Sequence, residues 1–106
     1  MEEIDGLAAL ERRELRSRIR FIVTRLIIAQ QPRPAFRAGP QELVEAEQDA
    51  VGMLLEDNPT LRAELAATIQ SVYPRARRAA ARDLGIPIEH LPDTNPFTLE
   101  EILGEA

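Results

Sequence analysis

Three long stretches of this chain repeat apolar side chains once per α-helical turn, and prolines and glycines cut the chain between them. This pattern constrains the fold more than any other feature. In the first stretch Leu15, Ile19, Ile22, Val23 and Leu26 fall on one side, with Ala8 one heptad earlier on the same line. Leu7 and Leu10 lie off that line and Gly6 weakens the opening turns, so a helix is predicted from about Ile4 to Ala29, with fraying or bending before Glu11. The segment QQPRPAFRAGP ends it, because two closely spaced prolines cannot continue a helix and drive the residues before them toward extended geometry.

Gly39 and Pro40 suit the N-cap and first turn of a second helix, which should end near Asp57. Leu43, Val44, Val51, Leu54 and Leu55 form its apolar face, and Glu42, Glu45, Asp49 and Glu56 its polar one. Asn58 and Pro59 have the N-cap and first-turn character of a third helix. Its face of Leu61, Leu65, Ile69, Val72, Ala76 and Ala80 continues to Leu84, where Gly85 stops it and Pro87 follows. Pro74 lies inside this helix and predicts a kink near 70–74, since it removes a backbone donor and crowds the preceding turn. Beyond an irregular crossing with Ile86, Ile88 and Leu91 turned back on the core, Thr98 and Glu101 have the spacing of a capping box. Phe97 and Ile102 have that of a hydrophobic staple, opening a short helix from Leu99 to about Gly104.

The expected fold is therefore all-α: one domain over residues 1–106, a compact bundle of three longer helices, the third kinked at Pro74, closed by a short C-terminal helix. Composition agrees, because Ala, Leu, Glu and Arg dominate while aromatics are few. With no cysteine, disulfides and thiolate metal sites are excluded. The longest apolar run, Phe21 to Ala29, is interrupted by Thr24 and Arg25 and is too short to span a bilayer. An acidic N-terminus does not resemble a signal peptide, and a cytoplasmic protein without membrane association is expected.

The net charge is −5, but its distribution is more informative than its total. Residues 12–37 hold eight Arg against Glu14 alone, and residues 41–57 hold six acids and no Arg. Every one of the 13 basic residues is Arg. The planar guanidinium suits carboxylate or phosphate recognition, although GC-rich codon usage explains the bias more simply. Two arginine columns emerge: Arg12, Arg16 and Arg20 on the first helix, and Arg75, Arg78 and Arg82 on the third. Like charges four residues apart repel by about 0.2–0.5 kcal/mol, so acidic groups should lie across from them. The acids of the second helix are the economical choice, within the domain or across a dimer. Phosphates of a nucleic acid are the alternative, disfavoured by the absence of Lys, of aromatic interleaving and of a helix-turn-helix pattern.

Glu47 falls inside the apolar face of the second helix. Burial would raise the pKa of such a carboxylate and suit it to proton transfer, but no nucleophile or metal-binding set accompanies it, and pairing with Arg is the expected role. His90, the single histidine, has no ligand spacing around it and reads as a surface or packing residue. Tyr73 and Phe97 read as core anchors, while Phe21 and Phe36 are open to exposure beside arginines. No catalytic residue, metal ligand or cofactor site is expected, and the chain does not read as an enzyme.

The segments ERRELRSRIRFIV, NPTLRAELAATIQSVYPRARRAAARDLGIP and LPDTNPFTLEEIL resemble a small bacterial family called domain of unknown function 29, over about Leu7 to Leu103. The order of motifs carries the resemblance: an arginine-rich first helix, Asn-Pro, Tyr-Pro-x-Ala-Arg, Gly-x-Pro and a closing Pro-Phe-Thr-Leu-Glu. Members often carry His near Arg25, Trp near Ala29 and Cys at Asn95. The resemblance implies an all-helical fold with no established activity. The role expected from the residues is a protein-interaction module, self-associating or with another partner; a nucleic-acid-associated helical protein is the alternative.

Overall fold

A computed structural model describes residues 2–31 and 41–105, with side chains from residue 9 onward in the first segment. The described residues form five α-helices and no strand: α1 (Glu2–Ala29), α2 (Gln41–Asp57), α3 (Pro59–Ala63), α4 (Leu65–Leu84) and α5 (Leu99–Leu103), with a 3₁₀ turn at Ile88–His90. The all-helical bundle read from the sequence is present. α1 continues back to Glu2 instead of beginning near Ile4. The proposed caps at Gly39 and Pro40, the connector through Phe36 and the side chains of Leu7 and Ala8 lie outside the described residues.

Leu15, Ile19, Ile22 and Val23 of α1 are almost wholly buried and meet Val44, Val51 and Leu55 of α2 and Leu61, Leu65, Ile69, Val72, Ala76 and Ala80 of α3 and α4. Each such residue removed from water contributes roughly 1.5–3 kcal/mol for a Val- or Leu-sized side chain. Leu26 and Leu54 are only partly buried and pack against the edge of this core. Leu43 is the exception, half exposed although the sequence placed it on the apolar face. One residue from Val44 is a 100° step around the helix, and that step carries Leu43 past the edge of the buried stripe.

The third helical stretch is broken where the sequence showed no punctuation. Glu64 takes φ −92° and ψ −3°, its N–H donates to Leu61, and its carbonyl accepts from both the backbone and the hydroxyl of Thr68. α3 is thereby one short turn and α4 a separate helix. Pro74 lies in the interior of α4, which runs from Leu65 to Leu84. Asn58 occupies the N-cap position of α3 but does not cap it through its side chain. Its amide donates back to the Leu54 carbonyl at 3.1 Å, and the Leu61 N–H is instead met by the Asn58 carbonyl at 2.9 Å.

Gly85 ends α4 in the left-handed conformation at φ 68°, and the Ile86 N–H reaches back to the Ala81 carbonyl. The crossing that follows is tied to α4 by two side chains. Tyr73 is buried and donates to the Pro92 carbonyl at 2.7 Å; burial raises the phenol pKa and keeps it the donor. Arg77 donates through Nη2 to the carbonyls of Ile88 and Leu91 and to Asp93, at 3.0, 3.1 and 3.0 Å. Thr98 and Glu101 complete both halves of the capping box, and Phe97 and Ile102 are buried beside it.

Candidate functional site

The direction of the helices decides which charges meet. Arg12 on α1 grips Glu64 at the junction of α3 and α4. Because only one helical turn separates Asp57 from Glu64, the end of α2 lies beside the early part of α1. α2 therefore runs antiparallel to α1, and α4 returns parallel to it. Twelve and 64 define an offset of 52 residues between α1 and α4, and with it Arg20 falls level with Val72.

This parallel register assembles a groove of about 460 Å³ between α1 and α4, lined by Arg13, Arg16, Ser17 and Arg20 from one helix and Ser71, Val72 and Arg75 from the other. Among the described residues four guanidinium groups and two hydroxyls surround it, and no carboxylate lines it. Among the described residues none of the four arginines has an ion pair or a side-chain hydrogen bond. Arg13 and Arg16 stand three residues apart on α1, and Arg16 and Arg20 four. Each pair carries an unrelieved repulsion of about 0.2–0.5 kcal/mol. An oxyanion in the groove removes that repulsion and gains charge-assisted hydrogen bonds, the strong class of such bonds.

Of the six arginines singled out in the sequence, Arg16, Arg20 and Arg75 line this groove. Arg12 does not, being committed to Glu64. Arg78 and Arg82 are exposed farther along α4 and stay outside the groove. Arg13 was not singled out, yet its signal was present: Arg13, Arg16, Ser17 and Arg20 follow the i, i+3, i+4, i+7 spacing of one helix face. The expected partners of the first-helix column, the acids of α2, are not across from it. Glu42, Glu45, Asp49 and Glu56 are exposed and have no ion pair among the described residues.

Glu47 is half-buried at the seam of α1 and α2, where Arg18 Nη1 lies 3.2 and 3.1 Å from its two oxygens. The same arginine donates through Nε to Glu14 at 2.9 Å, and that hydrogen bond, with the charges of both carboxylates, raises the Arg18 pKa. Glu14, Arg18 and Glu47 thus form a triad in which one permanent cation serves two acids, along an open cleft that Leu10 also lines. Phe21 is half-buried with the Arg25 guanidinium 5.1 Å from its ring centroid, a cation–π arrangement. His90 is exposed at the end of the 3₁₀ turn. Among the described residues no group of three or more His, Cys, Asp or Glu is placed to hold a metal ion, and no helix is long and apolar enough to cross a membrane.

The profile of the family described as "Domain of unknown function DUF29" matches residues 1–106. The chain belongs to the DUF29 family. The DUF29 description assigns no activity. Neither a curated protein nor a solved structure matches this DUF29 chain significantly.

Proposed function

We propose that this DUF29 chain is a protein-interaction module that receives an acidic partner surface in the α1–α4 groove, and that it is a binding protein and not an enzyme. One observation carries the reading: Arg13, Arg16, Arg20 and Arg75 converge on one groove with no counter-charge among the described residues, in a chain whose net charge is −5. A net-acidic protein that concentrates unpaired arginines in one place has a local potential opposite to its global one, which favours a localized acidic partner over a long polyanion. Among the described residues the lining contains no aromatic ring. Stacking of bases, the sequence-tolerant part of single-strand recognition, therefore has no platform there.

The nucleic-acid reading would use the same guanidinium groups against phosphates and predicts a different dependence on salt. Titration of the protein with an acidic polyglutamate peptide and with generic DNA and RNA tests the choice. Peptide binding that is lost in the variant Arg16→Gln, Arg20→Gln, Arg75→Gln supports the interaction reading. Tighter binding to generic DNA or RNA, weakening steeply with salt as condensed counterions are released, overturns it in favour of nucleic acid.

A further inference from the structure

The groove raises the question of which acidic surface has its dimensions, and α2 of the same chain carries one. Arg13, Arg16 and Arg20 are spaced 0, 3 and 7 residues along α1; Glu42, Glu45 and Asp49 are spaced 0, 3 and 7 along α2. Seven residues of helix rise about 10 Å, so two such helices laid parallel bring three cations and three anions into register together. Among the described residues neither row is satisfied: Arg13, Arg16 and Arg20 have no ion pair, and neither have Glu42, Glu45 and Asp49. We propose that the occupant of the groove is the acidic ridge of α2 from a second copy of this chain. This inference rests on the groove being an acceptor for acidic surfaces and goes further by naming the partner.

The two faces cannot meet in one molecule. On α2, Glu47 marks the flank that meets α1 through Arg18. Gln48 marks the opposite flank, where its amide reaches the Ile102 carbonyl of α5 at 3.2 Å. Glu45 and Asp49 lie beyond Gln48 on the wheel, turned away from α1, whereas the groove lies between α1 and α4. Ridge and groove sit on different sides of the bundle, so the contact between copies is head-to-tail. A contact of that kind does not close on itself as a two-fold dimer does; it adds copies until a ring closes or the chain of copies ends. Because its drive is electrostatic between exposed groups, it should weaken as the Debye length falls from about 30 Å at 0.01 M to about 3 Å at 1 M salt.

Two neutralised variants and their mixture test this arrangement in sedimentation velocity. Arg16→Gln/Arg20→Gln has a disabled groove and an intact ridge, and Glu45→Gln/Asp49→Asn the reverse. All four positions are exposed, and circular dichroism and thermal melting check that both variants keep the fold. The expected result is that the wild-type chain grows in mass with concentration at low salt and returns to monomer at high salt. Each variant alone associates at least tenfold more weakly. The equimolar mixture forms a 1:1 dimer that does not grow, since it has one working ridge and one working groove left to join.

A wild-type chain that stays monomeric at low salt up to about 1 mM, where a contact of about −4 kcal/mol would show, overturns the self-docking inference. If that monomer still binds polyglutamate through the groove, the interaction reading above survives; if it binds neither, both fall. Variants that associate as the wild type does also overturn the inference, because the contact would then lie elsewhere.

Discussion

Arg12 and Glu64, 52 residues apart in sequence, are joined by a two-pronged hydrogen bond, Nε to one carboxylate oxygen and Nη2 to the other, each at 2.9 Å. The pair marks the register at which α4 packs along α1, and the arginine groove lies in that register. It also links a surface charge to the break between α3 and α4, since Glu64 is both the acid of the fork and the residue at which the helix is interrupted.

The fork makes stability depend on acid. The hydrogen bonds from Arg12 hold the Glu64 carboxyl below its ordinary value. A depressed carboxylate contributes stability in full above its unfolded pKa of about 4.3 and loses it as pH falls through the folded value. Denaturant unfolding of the wild type and of Glu64→Gln should differ at neutral pH and converge in acid, where Glu64 is protonated in both states. A gap that persists unchanged in strong acid would show that the carboxylate charge is not what the fork contributes.

Gly104 caps α5 at φ 75°, and a Cβ built there would meet the Gln48 side chain at 2.6 Å. Gly104→Ala therefore places an L-residue in left-handed geometry, at a cost of roughly 1–2 kcal/mol, and pushes aside the flexible amide end of Gln48, which donates to the Ile102 carbonyl. Thr98→Ala at the other end of the same helix should cost about 1 kcal/mol by opening the capping box. Thermal melting of both variants checks the order, with Gly104→Ala the less stable.

Pro74 removes the donor that the Gln70 carbonyl would otherwise receive within α4. Pro74→Ala restores it at an exposed position. The gain is bounded by the cost of about 3 kcal/mol for an interior proline, reduced by the 0.4–1 kcal/mol that proline contributes by restricting the unfolded chain. A raised melting temperature is expected; a lowered one would mean that the proline geometry itself is needed to seat Tyr73 against the crossing.

Ala76 and Ala80 of α4 are fully buried. They let α4 approach the large side chains of α1, so Ala76→Leu should destabilise by about 1–3 kcal/mol through overpacking. It should also disturb the groove at the neighbouring Arg75 and at Val72 one turn earlier. A variant as stable as the wild type would indicate a looser contact between the two helices than the burial shows.

How much of this was legible before the fold was known differs from residue to residue. The capping box of Thr98 and Glu101, the stop at Gly85 and the burial of Ile19, Ile22, Ile69 and Val72 follow from spacing within a turn or two. Local hydrogen bonding and helical periodicity act over that distance. The break at Glu64 was not legible, because its neighbours are ordinary helix formers and the fork from Arg12 arrives from 52 residues away. Glu47 was legible as a carboxylate on the wrong face, and its pairing with arginine was expected; that the arginine is Arg18, shared with Glu14, required the packed pair of helices. The role of Arg77 as a tie to Ile88, Leu91 and Asp93 gave no signal in advance, since a guanidinium among alanines looks like any solvated charge.

The sequence by itself determined most of the buried stripe of each long helix and the stops at Gly85 and the capping box of Thr98, because apolar periodicity and capping act within a few residues. It determined the two signs of charge and their spacing along α1 and α2. Only the tertiary structure decided that α1 and α4 run parallel with Arg12 locked to Glu64, that four arginines share one groove, and that the acids of α2 face away from them. Helix direction and register are set by how whole faces pack, and no local segment contains that information.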